Sequence, residues 1–501
     1  MDILVGIDAG TSVIKAIAIT PTGREQALAT RELTTDHPRS QWAHQDMNTV
    51  WEQTAACLAE LVEQLPPEAT VLGVSIAGQG DGCWLIDGDG EPVRSAILWS
   101  DSRANEYVEQ WRTNGTLEEI ASICGSELFP GTVLPLLAWL SDERPQQLET
   151  AATLLFCKDW LTYKLTGERA TDLSDGSLPL LDIHSQSYSD AVWKATGVSE
   201  HKHLRPELQT AGSVVGSITE SATVETGLPA GTPVVMGLFD VAASAIGCGA
   251  VSEGDSVSSV GTSVVNQSLA STPRVDSTTI QVALWDGLYT EAIGSNVGTR
   301  SIEWVRDEIV NNCKTDYSDL EAAARSVSAG ADGLVYLPYL SSTGERGPFV
   351  DPNARAQLLG LEPSHTTAHI VRAVYEGLAL ALRDCYEAVP NTVSQLYLTG
   401  GPTQSAFWNQ LVADCMGVEI VIPDSAEPTA LGAAVLAGVG AGCYSNAPAG
   451  VKQVRSNADR YHPTAARGET YDRLHEQYVG IRARMKEIWA LQAETKSQIT
   501  F

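Results

Sequence analysis

The first 19 residues constrain this chain more than any other stretch. Two apolar, β-branched runs, 3–7 and 13–19, flank a short polar turn, a pattern that predicts a β-hairpin. Asp8 ends the first run, where a carboxylate is costly unless it has a partner. A divalent cation or a reacting group would be such a partner.

The turn itself carries small and hydroxyl-bearing residues. Gly10 lets the backbone approach a ligand closely, and Thr11 and Ser12 offer donors suited to phosphate oxygens. Lys15 adds a cation on the returning strand. An ordinary surface hairpin with Asp and Gly in its turn is the alternative interpretation.

Length and composition favour two globular domains. A chain of 501 residues is too long to fold around one hydrophobic core. Its hydrophobic fraction of 43% is enough to fill the cores of two domains. Small residues accumulate at 247–254, so we place the boundary near residues 248–255, between domains 1–250 and 251–501.

Charge and cysteine content exclude some partners and compartments. The formal net charge of −30 disfavours binding to nucleic acid and to anionic membranes. An excess of acidic residues together with only nine lysines is typical of proteins that work at high salt. No apolar run reaches ~18 residues, so we expect no membrane span, and the N-terminus lacks a basic leader region. Nine scattered cysteines without a Cys-x-x-Cys indicate reduced thiols and a cytoplasmic protein.

Helices and strands alternate along the whole chain. Residues 256–267 read as strand, Gly-Thr-Ser turn and strand, an echo of the opening hairpin that suggests two related halves. We therefore predict an α/β fold with its site in the cleft between the halves. The periodicity predicts strands at 71–76, 83–87, 96–99, 234–237, 393–399 and 419–422, and helices at 48–63, 116–124, 134–140, 151–165, 241–246, 301–310, 318–328, 368–389, 405–416 and 471–495.

Asp240 is the strongest catalytic candidate. It follows a short buried strand and stands at the head of an Ala-rich helix, where a carboxylate could simply be an N-cap. A carboxylate fixed at a strand end in a cleft is also well placed as a general base for a hydroxyl.

Two further Gly-containing turns suggest nucleotide binding. Gly261 and Thr262 form the elbow of the second hairpin and would clamp a polyphosphate together with the first elbow. Gly400 and Gly401 separate a strand from a helix that starts near Ser405, so an anion would meet a helix N-terminus. A ligand-free Gly-Gly turn is the alternative.

Polar residues after two neighbouring strands could ring a hydroxyl-rich ligand. These are Gln79, Asp81, Asp101 and Arg103, although Asp101 and Arg103 could equally form a structural ion pair. The loop 344–355 is dense in charges and turn formers and could be only solvated. No G-x-x-x-x-G-K-[ST] is present, which excludes a P-loop, and the nine histidines form no ligand cluster in the sequence.

Taken together, these motifs resemble the FGGY carbohydrate kinases over roughly residues 3–445. That resemblance implies the two-domain actin/hexokinase/Hsp70-like (ribonuclease H-like) ATPase fold with an interdomain active-site cleft. The matching motifs are Gly6-Ile7-Asp8-Ala9-Gly10-Thr11-Ser12, Trp99-x-Asp101-x-Arg103, Lys158-Asp159-Trp160-Leu161, Phe239-Asp240, Gly261-Thr262-Ser263, Gly344-Glu345-Arg346-x-Pro348-x-x-Asp351-Pro352-Asn353-Ala354-Arg355 and Thr399-Gly400-Gly401.

The resemblance implies phosphoryl transfer from MgATP to a small sugar or polyol. Asp240 would be the base and Asp8 would hold Mg²⁺, and Gln79, Gly80, Asp81, Asp101 and Arg103 would bind the sugar with Asp240. The nucleotide ligands would be Thr11, Ser12, Lys15, Gly261 and Thr262 for the β- and γ-phosphates, and Gly400, Gly401 and Ser405 for the α-phosphate and adenosine.

The substrate is open between branches of the family. Gln79-Gly80-Asp81-Gly82 departs from the Arg-Glu and Met-His pairs that glycerol kinases and xylulokinases carry after this Gln, and is most similar to the L-xylulose and erythritol kinase branches. We expect a ketopentose such as xylulose, with an erythritol-type polyol kinase as the alternative. A sugar-sensing or chaperone-like ATPase is the non-enzyme alternative, and a homodimer is one option for the assembly.

Overall fold

A computed structural model describes residues 1–126, 128–275, 279–310, 316–389, 391–454 and 458–499. The chain divides into two compact units. The first unit contains Met1–Glu253, Leu269–Glu291 and Ser425–Asn457, and the second contains Gly254–Ser268, Ala292–Asp424 and Ala458–Phe501. Residues 425–457, which the sequence analysis put in the second half, therefore belong to the first unit. The division of function between 1–250 and 251–501 stays a prediction.

The strands and helices alternate throughout the described residues. The strands are β1 Asp2–Ala9, β2 Val13–Ile19, β3 Glu25–Glu32, β4 His44–Gln45, β5 Thr70–Gly78, β6 Trp84–Ile86, β7 Ala96–Ile97, β8 Thr153–Leu155, β9 Ala170–Asp172, β10 Leu181–Asp182, β11 Ser187–Tyr188, β12 Glu207–Gln209, β13 Val214–Ser217, β14 Pro233–Val235, β15 Asp255–Val260, β16 Val264–Ala270, β17 Ile280–Ala283, β18 Tyr289–Ser295, β19 Val335–Leu337, β20 Gln357–Leu359, β21 Gln395–Thr399, β22 Glu419–Ile422 and β23 Asp459–Tyr461. The α-helices are α1 Met47–Glu63, α2 Asn105–Thr113, α3 Thr116–Cys124, α4 Val133–Glu143, α5 Pro145–Thr150, α6 Cys157–Thr166, α7 Leu173–Gly176, α8 Asp190–Ala195, α9 Glu220–Thr226, α10 Asp240–Cys248, α11 Arg300–Trp304, α12 Tyr317–Arg325, α13 Thr367–Ala388, α14 Ala406–Met416, α15 Pro428–Gly440, α16 Ala447–Val454 and α17 Ala465–Gln498.

The first unit is built on a six-stranded sheet in the order β13-β14-β5-β1-β2-β3. The opening hairpin is confirmed: β1 pairs antiparallel with β2, in a register that sets Asp8 opposite Lys15. On its other side β1 runs parallel to β5, which in turn runs parallel to β14. The functional residues after β1, β5 and β14 therefore leave the carboxyl ends of adjacent parallel strands, where open α/β sheets carry their sites.

Helix α15 covers the central strand β1. This close approach depends on Gly6, because a Cβ at that position would lie 2.0 Å from the carbonyl oxygen of Ala430 in α15. Residues 3–7 of β1 are buried on both faces, which explains the unbroken apolar run in the sequence. The N-terminal end of α15 is thereby brought to the carboxyl end of β1.

The second unit repeats the central part of this arrangement. Strand β15 pairs antiparallel with β16 and parallel with β21, and β21 pairs parallel with β22. The strand–turn–strand prediction for 256–267 is confirmed. The core of this unit includes Tyr339, Tyr478 and Trp489, all almost fully buried.

One predicted helix was wrong in its first part. Residues 151–165 read as a single helix, but Thr153–Leu155 is strand β8, which pairs antiparallel with β6, and helix α6 begins only at Cys157. The apolar residues of this run fit both the helical and the strand periodicity. Pairing with β6 makes residues 153–155 a strand. Within the part of the chain that the structure describes, no helix is both long and apolar enough to cross a membrane.

Candidate active site

Asp8 lies at the end of β1 in an acidic surrounding. Its cross-strand partner Lys15 donates from Nζ to Glu427 Oε2 over 2.6 Å, and Glu427 immediately precedes α15. Burial raises the pKa of Asp8 to about 6; the Lys15 charge opposes this shift and the Glu427 charge adds to it. An acid in this state gains from a cation at its carboxylate.

The turn after β1 is tied to the strand β5 beside it. Thr11 Oγ1 donates to Gln79 Oε1 over 2.9 Å and accepts from Trp99 Nε1 over 3.0 Å. Gln79 Nε2 in turn donates to Gln45 Oε1, and Gln45 Nε2 donates to the Thr11 carbonyl. Ser12 is exposed. The Thr11 hydroxyl is thus engaged on the side of Gln79, the predicted sugar ligand.

Asp240 stands where the sequence placed it, as the first residue of α10 after β14. One carboxylate oxygen, Oδ1, accepts from the Val241 N–H over 2.6 Å. Burial raises the pKa of Asp240 to about 7, with a further contribution from the Asp8 charge. A carboxylate of that pKa is matched to proton abstraction near neutral pH.

Asp81 is the third acid of this group. It is 7% exposed and adopts a left-handed backbone with φ 57°. Among the described residues its Oδ1 has no hydrogen-bond partner, and burial together with the Asp240 charge raises its pKa to about 8. A buried oxygen without a partner fits a ligand hydroxyl.

Gly80 brings this acid close to Asp240. A Cβ at Gly80 would lie 2.4 Å from Cδ2 of the Phe239 ring. The residue before Asp240 therefore packs directly onto the turn that carries Asp81.

Asp101 and Arg103 form a buried ion pair. Arg103 donates from Nε to Asp101 Oδ1 over 2.8 Å and from Nη2 to Asp101 Oδ2 over 2.6 Å. The guanidinium lies 4.0 Å from the ring centre of Trp42, and it also contacts His44. Burial, together with the charges of Arg103 and Arg94, lowers the pKa of His44 to about 4, so this imidazole is neutral. Asp101 and Arg103 thus form the ion pair that the sequence offered as one option, and Arg103 Nη1 is buried and unpartnered among the described residues.

The predicted nucleotide residues of the second unit lie on two turns. Gly261 and Thr262 are exposed in the β15–β16 turn, and the Gly261 carbonyl accepts from the Thr299 N–H. Gly400 has φ 102° and leads into Gly401, which has open space where a Cβ would be. The Ser405 hydroxyl caps α14 by accepting from the Trp408 N–H over 3.0 Å.

An apolar cavity of about 20 Å³ lies beside these turns. Its lining includes Val260, Pro402 and Trp408. This volume is close to that of one water molecule, so the cavity does not accommodate an adenine ring.

The charged loop 344–355 is anchored in the second unit and is not simply solvated. Glu345 is 2% exposed, and its Oε1 accepts from the backbone N–H groups of Asn296, Arg346 and Gly347. This carboxylate fixes the course of the loop.

Sequence reasoning missed Glu427, Gln45 and Ser174. Glu427 precedes the Pro that opens α15, which was the only local signal of its position. Gln45 and Ser174 stand in short polar stretches with no periodic pattern, and only the tertiary structure brings them to Thr11 and Phe239.

Two family models match most of the chain. Residues 3–247 match the N-terminal domain of the FGGY family of carbohydrate kinases, and residues 257–441 match its C-terminal domain. The chain belongs to the FGGY family of carbohydrate kinases.

Individual relatives agree with this assignment. An erythritol kinase from Brucella abortus (strain 2308) is 31% identical over 97% of both chains, and a xylulose kinase from Bacillus subtilis (strain 168) is 28% identical over 97% of this chain and 98% of its own. The crystal structure of a xylulose kinase from Rhodospirillum rubrum, 27% identical, superposes with a TM-score of 0.90 over 97% of this chain and all of that one. These findings confirm the two-domain actin/hexokinase-like α/β fold and the ATP-dependent carbohydrate kinase activity.

Proposed function

We propose that this kinase transfers the γ-phosphoryl group of MgATP to a hydroxyl of a ketopentose such as xylulose. The observation that carries the proposal is Asp240, a half-buried carboxylate at a helix start whose pKa is raised to about 7. The similarity to xylulose kinases in sequence and structure supports the sugar class.

Asp240 is the proposed general base. Its Oδ1 is occupied by the Val241 N–H, which leaves the second oxygen to accept a proton from the attacking hydroxyl. As the hydroxyl loses its proton to Asp240, its oxygen forms the new bond to the γ-phosphorus and ADP leaves. Because its pKa is raised, Asp240 is a stronger base for the hydroxyl proton than a carboxylate of ordinary pKa.

The metal of MgATP fits the first unit. Asp8 and Glu427 are acids that both interact with Lys15, and Mg²⁺ in kinases is held by one or two carboxylates and the phosphates. We propose that Asp8 faces this ion, directly or through water. Among the described residues there is no group of three or more His, Cys, Asp or Glu that could hold a metal ion.

The remaining nucleotide contacts are proposed residue by residue. On the first unit, Thr11 and Ser12 in the turn that follows β1, together with Lys15 on β2, would contact the β- and γ-phosphates. On the second unit, Gly261 and Thr262 would contact the same phosphates. Gly400, Gly401 and Ser405, at the turn between β21 and α14, would bind the α-phosphate and adenosine.

The sugar would lie against the turn after β5. Gln79, Gly80 and Asp81 would contact it directly, and the unpartnered Oδ1 of Asp81 would bind a sugar hydroxyl. Asp101 and Arg103 would shape the site, with Arg103 Nη1 as a further donor.

An erythritol-type polyol kinase is the second candidate. The 31% identity to an erythritol kinase favours it, and Asp240 would be the base for either substrate. A sugar-sensing or chaperone-like ATPase would release ADP without a sugar.

We further propose a cytoplasmic homodimer. The described cysteines are all free thiols, and α17 exposes Ile488 and Leu491 on adjacent turns. Cys313 lies outside the described residues. Cell fractionation and light scattering of the purified protein test the two parts, and a secreted protein or a monomer would contradict them.

Coupled ADP release across a panel of sugars tests the function. With MgATP, we expect turnover on D- or L-xylulose well above that on erythritol, glycerol and gluconate. Asp240→Asn should reduce it by about 10³-fold, because the amide accepts no proton. Turnover highest on erythritol would move the chain to the second candidate. ADP release that no sugar stimulates, and that Asp240→Asn leaves intact, would refute both.

A further inference from the structure

The segment that carries Asp240 is held from behind by a buried serine. Ser174 Oγ accepts from the Phe239 N–H over 2.9 Å, and Ser174 is fully buried in the short helix α7. Phe239 is the residue directly before Asp240, so this hydrogen bond fixes the backbone from which the carboxylate extends.

Ser174 is itself fixed by a buried charge cluster. The Asp172 Oδ2 accepts from the Ser174 N–H over 2.7 Å, while its Oδ1 pairs with Lys158 Nζ at 2.9 Å. Lys158 also pairs with Asp159 at 2.5 Å and with Asp175 at 2.9 Å. All four charged side chains are at most 1% exposed. Removing one member of such a buried ion pair strongly destabilises the fold, because the remaining charge is left without a partner.

The other side of Phe239 is equally constrained. Phe239 forms a β-bridge with Gly78 at the end of β5, and a Cβ at Gly78 would lie 3.0 Å from the Lys158 backbone nitrogen. The Phe239 ring packs on Gly80. The Phe239 backbone is therefore held between β5 and the Lys158 cluster, with the Ser174 hydroxyl as the polar contact from the cluster side.

We propose that Ser174 is a positioning residue for phosphoryl transfer, connecting the Lys158–Asp172 pair to the backbone before Asp240. This inference rests on the proposed role of Asp240 as the base. Its function would be to hold the base where the sugar hydroxyl arrives, since a misplacement of about 1 Å reduces rate by about 10²-fold.

A matched pair of serines tests the role. Ser177, one turn further on, is also fully buried; its hydroxyl accepts from the Ala283 N–H over 3.1 Å and donates to the Leu173 carbonyl. It does not contact Phe239. Ser174→Ala and Ser177→Ala each remove one buried acceptor of a backbone N–H, and we expect comparable losses of thermal stability.

Their kinetics should differ. We expect Ser174→Ala to reduce kcat by about 10- to 100-fold with the KM for ATP nearly unchanged. It should also move the acid limb of the kcat/KM–pH profile, because a displaced Asp240 lies in a different surrounding. Ser177→Ala should keep both kcat and the pH profile. Ser174→Cys keeps the volume with a weaker acceptor and should lie between, so the test stands if Ser174→Ala does not fold.

Two outcomes separate the inference from the function on which it rests. If Asp240→Asn is inactive while Ser174→Ala matches Ser177→Ala in kcat and in pH profile, the positioning role is refuted and the base remains. If Asp240→Asn retains activity, the proposed base is refuted and the role of Ser174 falls with it.

Discussion

Replacing Asp81 by Asn should stabilise the fold at alkaline pH. The pKa of Asp81 is about 8 in the folded chain, against an ordinary value of 3.8. The folded state therefore keeps this proton over a range in which the unfolded chain has lost it. Between about pH 4 and pH 8 the free energy of unfolding falls as pH rises, because the folded state binds more protons than the unfolded state.

The pKa difference sets the size of the effect. Four units at about 1.4 kcal/mol each give an upper limit of roughly 6 kcal/mol that ionised Asp81 costs the fold above pH 8. Asp81→Asn removes this cost while keeping the shape of the side chain. Near pH 4, where folded Asp81 is protonated, the variant should gain little.

Urea unfolding at pH 5 and pH 9 measures this difference. We expect the advantage of Asp81→Asn over the native chain to grow by about 2–4 kcal/mol from pH 5 to pH 9, because the cost stops rising above about pH 8. Asp89→Asn, at an exposed turn, is the control, and its effect on the free energy of unfolding should be the same at both pH values. An Asp81→Asn advantage that does not change with pH would refute the argument that burial holds the proton on this carboxyl.

Other perturbations follow from the same site. Lys15→Met removes the charge that opposes the raised pKa of Asp8, so we expect the pKa of Asp8 to rise above about 6. The Mg²⁺ concentration for half-maximal activity should then increase several-fold. An unchanged Mg²⁺ titration would contradict the role of this ion pair. Gly80→Ala puts a Cβ 2.4 Å from the Phe239 ring, which should destabilise the fold by about 1–3 kcal/mol and lower kcat; a variant with native melting temperature and kcat would show that the ring is free to move. The native chain should lose activity below about pH 7, roughly tenfold per pH unit, as Asp240 becomes protonated; a flat kcat/KM profile between pH 5 and pH 7 would exclude it as the base. The net charge of −30 predicts activity that improves from low to molar KCl, and a steady decline over that range would count against adaptation to salt.

The strands and the order of the motifs could be predicted from the sequence because they are local. The apolar run before Asp8 and the Gly-Thr-Ser turn at 261–263 each predict a hairpin from a few neighbouring residues. The structure forms these hairpins as β1–β2 and β15–β16. Asp240 could be placed at the start of a helix for the same reason.

The contacts that adjust these residues could not be predicted, because they join distant parts of the chain. Lys15 and Glu427 are separated by 412 residues, and only the approach of α15 to Gly6 brings them together. Likewise, the rings of Trp42 and Trp139 that pack around the Arg103 guanidinium come from distant parts of the chain, so the sequence does not show this surrounding. Residues 151–156 were misassigned because their apolar pattern does not show the partner strand β6.

Phosphorus NMR of the complete reaction tests the central claim most directly. With MgATP and xylulose, we predict a sugar phosphate monoester that grows in equal amount with ADP, and neither product at a comparable rate with Asp240→Asn. Release of ADP and inorganic phosphate without a sugar phosphate, at the same rate in both proteins, would contradict the account.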